Sequence, residues 1–366
     1  MLDKMWDFFV ETAYVIFIPL VCSYLSLTSN LFLNTACEEA RGLEKWGNEI
    51  LAPCHYLFVG QVAKKGSEGE WVFSNRFDYM DGRFTPKAIG SGLAAIPSFL
   101  IGVPVKALSL FSEQSRKNHR DMRAARLATT VHSNEELYRS YGIDLGGEKE
   151  WFQSEGHKRR PGDENTMQKE KKALAEIGAA LTEAGIPWWV DCGTCLGAYR
   201  YGGVIPWDED IDIAIFRNDF ENACHALNRL DPKKYIVQDW SSREFPKSYL
   251  KIFVRDSGTL IDVYNFNILP EEGKIQYVLS LEHQMFLPEW WKIREKRFLK
   301  PVSISDTFPL KKAMFDGVEI YVAKNTKKYL QRYYGENLAP AKIYDPHTQK
   351  YEKDLSHPYW KSAYVH

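Results

Sequence analysis

The stretch Gly202-Gly-Val-Ile-Pro-Trp-Asp-Glu-Asp-Ile-Asp-Ile-Ala-Ile215 constrains this chain more than any other. Its carboxylates at 208, 210 and 212 keep step with the two-residue period of a β-strand, which predicts Asp208, Asp210 and Asp212 on one face and Ile211, Ile213 and Ile215 on the other. A strand entered through a Gly-rich turn would bury the isoleucines and crowd three carboxylates together. Like charges so close need a cation between them. A hard divalent ion, Mg2+ or Mn2+, held by carboxylates and completed by substrate phosphate oxygens, meets that need.

The surrounding pattern predicts an α+β domain: a mixed β-sheet flanked by helices, most of them on one face. Asn165 and Gln168 read as a cap, and Glu170, Leu174, Ile177 and Leu181 trace a helical stripe that stops at Gly185. Pro187 to Asp191 reads as a short buried strand, and Gly193-Thr194 as a tight turn into a helix carrying Leu196, Ala198, Tyr199 and Arg200. Backbone N–H groups at such a helix start suit phosphate. Asn218 is placed to cap a helix bearing Phe220, Cys224, Leu227 and Leu230. Three more strands follow at Tyr235 to Gln238, Tyr249 to Arg255 and Thr259 to Phe266, the last two joined by the hairpin turn Asp256-Ser-Gly258. Asp262 interrupts the apolar run of the third. A buried carboxylate there is costly without a cation or donors, so the ion held by Asp210 and Asp212 is its expected partner, provided the strands are neighbours. Lys251, alternating with Leu250 and Ile252, is a candidate phosphate contact facing the same cleft.

The first third is different in kind. Tyr14 to Leu33 carries no charge and approaches the length needed to cross a bilayer. Asp3, Asp7 and Glu11 precede it, so a retained anchor fits better than a removable signal peptide. Ala88 to Val105 is also uncharged but holds Gly90, Gly92, Pro97, Gly102 and Pro104, which leaves a short span, a re-entrant hairpin or an interfacial segment open. Arg116, Lys117, Arg120, Arg123 and Arg126 follow, a basic excess that the positive-inside rule places in the cytoplasm. Membrane association is therefore expected. The chain divides into an apolar region at 1–111, a polar helical connector at 112–164, a catalytic domain at 165–340 and a tail at 341–366. A formal net charge of -1 gives no global positive field, so nucleic acid is not an expected partner. The cysteines form no dense disulfide framework. Cys192-Gly-Thr-Cys195 has CxxC spacing, yet no second pair follows to complete a zinc or redox site.

Taken as a whole, Gly193-Thr-Cys-Leu-Gly-Ala-Tyr-Arg200-Tyr-Gly-Gly-Val-Ile-Pro-Trp-Asp-Glu-Asp-Ile-Asp212 resembles the core motif of the LicD family, which includes fukutin and fukutin-related protein. A weaker likeness continues through Phe308-Pro-Leu310, Phe315-Asp-Gly317 and Tyr329-Leu330 to Tyr334-Gly335. The resemblance implies a nucleotidyltransferase-like fold, with Gly193-Thr194, Asp210-Ile-Asp212 and Asp262 at the family's turn, paired acids and third acid. It implies transfer of a phosphorylated alcohol, such as phosphocholine or ribitol phosphate, from a CDP-linked donor to a glycan hydroxyl. Asp210 and Asp212 would then hold the metal, with Asp208 a further candidate ligand. Asp262 would be ligand or general base, and Gly193, Thr194 and Arg200 would contact donor phosphate. Cys192 and Cys195, Thr194 in place of a more usual Ser, and Glu209 in place of Asp depart from the pattern. Relatives act in bacterial surface-polymer decoration or in the Golgi, so a cytoplasm-facing enzyme and a Golgi type II protein are both compatible with the resemblance. Nucleotidyl transfer with the same acids and a catalytically silent membrane-bound binding protein are the competing expectations.

Overall fold

The N-terminal unit is built around one long helix. In this computed structural model the described residues are 30–57, 60–67, 69–76, 81–128, 133–152, 164–208, 210–241, 245, 247–279 and 289–361. The first apolar stretch up to residue 29 and Glu209 lie outside the described residues. Helix α1 (Asn30–Asn34) leads into β1 (Thr35–Cys37), followed by α2 (Gly42–Ile50), α3 (Ala52–Leu57), the hairpin β2 (Gln61–Lys65) and β3 (Trp71–Asn75), then α4 (Phe84–Leu108) and α5 (Glu113–Ala128). The second apolar stretch is one continuous helix, α4, with Pro97 and Pro104 inside it. It packs closely on α2 and α3: a Cβ added at Gly47 would meet the Lys106 backbone at 2.9 Å, and one at Gly102 would meet Leu51 at 2.7 Å. These two glycines set the distance between the helices.

After the short helix α6 (Glu135–Ser140), the C-terminal unit opens with α7 (Glu164–Glu183), β4 (Trp188–Val190), α8 (Cys192–Tyr201), β5 (Ile211–Phe216) and α9 (Phe220–Leu227). Strands β6 (Tyr235–Asp239), β7 (Tyr249–Val254), β8 (Thr259–Leu269) and β9 (Lys274–Tyr277) follow, then α10 (Glu289–Glu295), β10 (Val302–Ser303) and α11 (Ile304–Thr307). The hairpin β11 (Lys311–Phe315) and β12 (Val318–Val322), α12 (Thr326–Tyr334), and the hairpin β13 (Lys342–Asp345) and β14 (Lys350–Lys353) complete the unit. β4 to β10 form one mixed sheet with β8 at its centre: β5 runs parallel to β8, while β7 and β9 pair antiparallel along its other edge.

Helices cover both faces of this sheet, not one. Trp188 and Trp189 are successive residues of β4 and point to opposite sides. A Cβ at Gly178 of α7 would touch the Trp188 ring at 2.5 Å, whereas Trp189 donates from Nε1 to the Tyr329 hydroxyl of α12 at 2.8 Å. The Trp189 face is closed by an aromatic cluster, with ring centroids of Phe216, Phe266 and Phe308 at 5.4, 5.3 and 5.6 Å from Trp189. Truncating a fully buried Trp of this kind costs about 3–5 kcal/mol.

Three local expectations change. The acidic strand begins at Ile211, so only Asp212 of its three aspartates belongs to the strand. The cause is Pro206, the second residue of a β-turn closed by the Asp208 N–H donating to the Ile205 carbonyl at 3.0 Å, which places Asp208 and Asp210 in the entry loop. Asn218 lies within a 3-10 turn at Arg217–Asp219, and it is Asp219 that precedes α9. Its buried carboxylate accepts from Tyr138, Asn134 and Asn222 instead of capping the helix backbone. The residues read as a tail fold back through the β13–β14 hairpin, where Tyr351 packs on Trp207 with centroids 4.9 Å apart.

Candidate active site

Parallel pairing of β5 with β8 sets Asp212 directly opposite Asp262, and antiparallel pairing of β7 with β8 sets Lys251 opposite Asp262 on the far side. One pleated face of three adjacent strands therefore carries the row Asp212, Asp262, Lys251. Lys251 Nζ lies 2.6 Å from Asp262 Oδ1. Asp210, from the entry loop, completes a cluster in which one carboxylate oxygen from each of Asp210, Asp212 and Asp262 lies within 4.8 Å of the others. Among the described residues it is the one group of three or more metal-capable side chains. Asp212 and Asp262 are buried, and Asp210 faces solvent.

The start of α8 is shaped to this cluster. Cys192 adopts φ 44, in the left-handed region that a residue with a Cβ seldom enters, and the resulting turn aims the Gly193 N–H at Asp212 Oδ2, 3.1 Å away. The Asp212 N–H in turn donates to the Thr194 hydroxyl at 2.8 Å. A side chain at 193 would meet the Asp208 carboxylate at 2.4 Å, so the close approach of this loop requires glycine. Behind the turn, buried Asp191 accepts from the Tyr329 hydroxyl at 2.9 Å. The Asp-Gly turn of the β11–β12 hairpin, with Asp316 at φ 51 and Gly317 at φ 88, reaches across to the loop that carries the acids. Its Asp316 N–H donates to the Gly202 carbonyl at 2.8 Å and its carboxylate accepts from the Val204 N–H at 2.9 Å.

Electrostatically the acids are under strain. Burial, reinforced by the charges of Asp210, Asp262, Asp208 and Asp191, pushes Asp212 well above the usual carboxylate range. Asp210, though open to solvent on one side, is also raised, by desolvation in its crowded surroundings and by the neighbouring Asp262, with a hydrogen bond to Asp208 pulling the other way. Lys251 is the nearest balancing charge, and it serves Asp262. The donor set fits a hard cation. Three carboxylates that bring one oxygen each within 4.8 Å of the others offer the all-oxygen ligands that such an ion prefers.

Beside Gly193 and Asp208 opens a cavity of about 370 Å³ lined by Arg294, Arg297, Trp207, Tyr334 and Trp360. Arg297 lies over the Tyr334 ring at 5.0 Å, and Trp360 is anchored by Nε1 donating to the Ala341 carbonyl at 2.7 Å. Arg294, Arg297 and Trp360 did not emerge from sequence reading, whereas Trp207 lies in the core motif and Tyr334 in the weaker likeness that follows it. Arg294 and Arg297 come from a segment without motif character, and only folding-back of the chain after Ala339 brings Trp360 here. Arg200 also lines the cavity, but its Nη2 donates to the Ala339 carbonyl at 2.6 Å and its Nε to that of Leu338, so it ties the chain after α12 to α8. Lys251 sits with Asp262, under the Tyr249 and Trp240 rings at 5.1 and 5.6 Å. Cys192 and Cys195 are free thiols.

Comparison with known proteins shows what the chain is similar to. Residues 185–325 match the family described as LicD/FKTN/FKRP, nucleotidyltransferase domain. An uncharacterized protein of Rickettsia prowazekii is 28% identical over 184 residues, 49% of this chain and 60% of its own length. Mouse ribitol-5-phosphate transferase FKTN is 40% identical over 65 residues, 16% of this chain and 14% of the relative. The lipopolysaccharide cholinephosphotransferase LicD of Haemophilus influenzae is 27% identical over 104 residues, 25% of this chain and 39% of the relative. The chain spans 60% and 52% of the lengths of the two Rickettsia relatives it matches.

Proposed function

We propose that residues 185–325, which carry the LicD/FKTN/FKRP nucleotidyltransferase domain, transfer a phosphorylated alcohol from a CDP-linked donor to a hydroxyl of a glycan or glycoconjugate. The relatives named for ribitol-phosphate and choline-phosphate transfer motivate the choice of transferred group. The observation that carries the reading is the triad formed by Asp212 and Asp262 on a shared sheet face and Asp210 from the entry loop, beside a cavity lined by Arg294, Arg297 and Trp207. Asp210, Asp212 and Asp262 would hold Mg2+ or Mn2+, with Asp208 at the margin. When bound, the ion supplies positive charge against the donor diphosphate and the leaving CMP.

The chain's own residues do the rest. Arg294 and Arg297 bring cationic forks to the diphosphate, and Trp207 and Trp360 offer flat faces to a pyrimidine. The Gly193 N–H and Thr194 hydroxyl fix Asp212, and Lys251 fixes Asp262. The acceptor hydroxyl oxygen forms its bond to the phosphorus that bears the alcohol. The bond from that phosphorus to the bridging oxygen breaks, CMP departs, and the hydroxyl proton passes to a carboxylate of the triad, with Asp262 the candidate base. Incubating the purified chain with CDP-ribitol, CDP-choline and CDP-glycerol and a glycan acceptor, then weighing the acceptor by mass spectrometry, tests the reading. A gain equal to the phospho-alcohol supports it. A gain of CMP would assign nucleotidyl transfer instead, and no gain with any donor, combined with donor binding, would leave a silent binding protein.

The membrane reading rests on α4. Pro86–Phe111 is long and apolar enough to cross a bilayer, with mean hydropathy 1.8 and 6% of its most apolar window buried. Leu93, Ile96 and Leu100 are 83%, 70% and 65% exposed. Since its opposite side is packed on α2 and α3, whose Trp46 is also exposed, α4 is read as lying in the lipid interface. The basic residues after it favour a cytoplasm-facing catalytic unit, with a Golgi type II arrangement as the alternative.

A further inference from the structure

A second cavity, about 570 Å³, opens where α5 faces the C-terminal unit, remote in function from the aspartates. His119, Arg120, Arg123 and Arg126 of α5 and Arg229 of the turn after α9 line it, against a single acid, Asp231. Its remaining wall is mostly apolar, with Phe32, Leu110, Leu227 and Leu230 beside Asn228 and Tyr235. Leu110 belongs to the segment that continues α4, and the next residue, Phe111, is 84% exposed. The helix that leads into this wall of the cavity, α4, exposes Leu93, Ile96, Leu100, Ile101 and Leu108.

The cations are not equivalent. Arg126 donates to Gln61 and lies over the Phe73 ring at 4.7 Å, and His119 lies 3.2 Å from Glu44, so both help to hold the N-terminal unit together. Arg120 and Arg123 are exposed, one helical turn apart on α5, and supply the cavity's outward charge. An anionic headgroup with a phosphate ester matches this lining, and its acyl chains match the apolar strip beside it.

We propose that this cavity binds the phosphate-bearing headgroup of an anionic phospholipid and so fixes how the chain sits on its membrane. The proposal rests on the interfacial reading of α4, and the two fail in different ways. Flotation of the full chain with phosphatidylcholine vesicles, with and without phosphatidylglycerol, separates them. Binding to the anionic vesicles is expected to be the tighter. The double variant Arg120→Gln/Arg123→Gln should weaken anionic binding by about 30-fold, equivalent to about 2 kcal/mol for two basic groups at an anionic surface. Partition onto phosphatidylcholine and transferase turnover in detergent should be unchanged. The double variant Lys45→Gln/Lys117→Gln, which removes exposed cations outside the cavity, should weaken binding less. Equal losses in the two double variants, or parental binding blind to phosphatidylglycerol, would overturn the headgroup site. Failure to bind either vesicle would instead overturn the interfacial reading and the headgroup site with it. Binding of inorganic phosphate that is lost in Arg120→Gln/Arg123→Gln but leaves the hold on anionic vesicles unchanged would assign the cavity to a soluble phosphate ligand and overturn the lipid.

Discussion

Replacing Asp212 by Asn isolates the central claim that the triad is built for a cation, because it predicts an inversion of stability. Two carboxylates 4.8 Å apart repel by about 3.5 kcal/mol at an effective dielectric constant of 20. Asp212 has two such neighbours, one of them partly balanced by Lys251. Keeping Asp212 protonated at pH 7 costs about 4 kcal/mol relative to its usual ionised state, so without metal the folded chain bears a penalty of roughly 2–4 kcal/mol whichever state it adopts. The asparagine side chain keeps an oxygen for the Gly193 N–H and removes that penalty. The folded-state pKa of Asp212 is raised above its unfolded value. The penalty is therefore absent below about pH 4 and grows by about 1.4 kcal/mol per pH unit above it until the folded carboxyl ionises. In chelator, Asp212→Asn should be more stable than the parent by roughly 2–4 kcal/mol at pH 7 and equal to it near pH 4. With Mg2+ or Mn2+ the parent should gain and the variant should not, and transfer activity should vanish in the variant. Denaturant unfolding at both pH values, with and without metal, reads this directly. If Asp212→Asn is the less stable protein in chelator at pH 7, the charge-repulsion argument is refuted.

Other expectations follow from the same geometry. Lys251→Met leaves Asp262 buried beside Asp212 without its cation, which should lower metal-free stability by about 3 kcal/mol and be largely restored by Mg2+; an unchanged urea midpoint without metal would contradict the pairing. Gly193→Ala forces the Asp208 carboxylate, 2.4 Å from the new methyl, out of position, and should cut turnover by at least about tenfold while melting changes little; full turnover would show that Asp208 and the turn play no part. Metal affinity should rise between pH 5 and pH 8, because the raised carboxyls of Asp210 and Asp212 must lose protons to bind; isothermal titration at the two pH values checks this, and a flat response counts against these ligands. Leu93→Ser with Leu100→Ser removes apolar area exposed on α4 and should reduce partition onto phosphatidylcholine vesicles without lowering stability.

Much of the catalytic sheet was legible because each of its strands is short, apolar and punctuated. The strands read at Tyr235, Tyr249 and Thr259 begin at those residues in the structure, and Gly258 turns the hairpin at φ 75. Gly185, at φ 68, ends the α7 segment as its position in the pattern required. Local signals failed where tertiary contacts decide. Period-two spacing placed Asp208 in a strand that Pro206 delays, and a capping residue at 218 lost to Asp219, whose burial under Tyr138 draws it into a side-chain network. Gly and Pro in 88–105 suggested interruption, yet the helix persists, with Gly102 used for close packing on Leu51 rather than for a bend. The cavity wall was illegible for a different reason. Arg294 and Arg297 come from one segment and Trp360 from another, and each acquires meaning only by meeting Trp207 and Tyr334 in space.

Lys251 explains how such a site can fold without a metal ion. A sheet that sets Asp212 and Asp262 side by side would oppose its own ladder if both were ionised, and β8 is the central strand on which β5 and β7 assemble. Placing Lys251 in register on the neighbouring strand supplies one positive charge at 2.6 Å, enough for one of the two carboxylates. The second, Asp212, is held by the Gly193 N–H and stays short of a full counter-charge, as does Asp210 in its loop. The chain is therefore stable enough to fold and deficient by about one cation at the face that meets the cavity. That deficit is what a divalent ion and a diphosphate would fill together. A site neutralised entirely by its own lysines would fold more easily and bind neither.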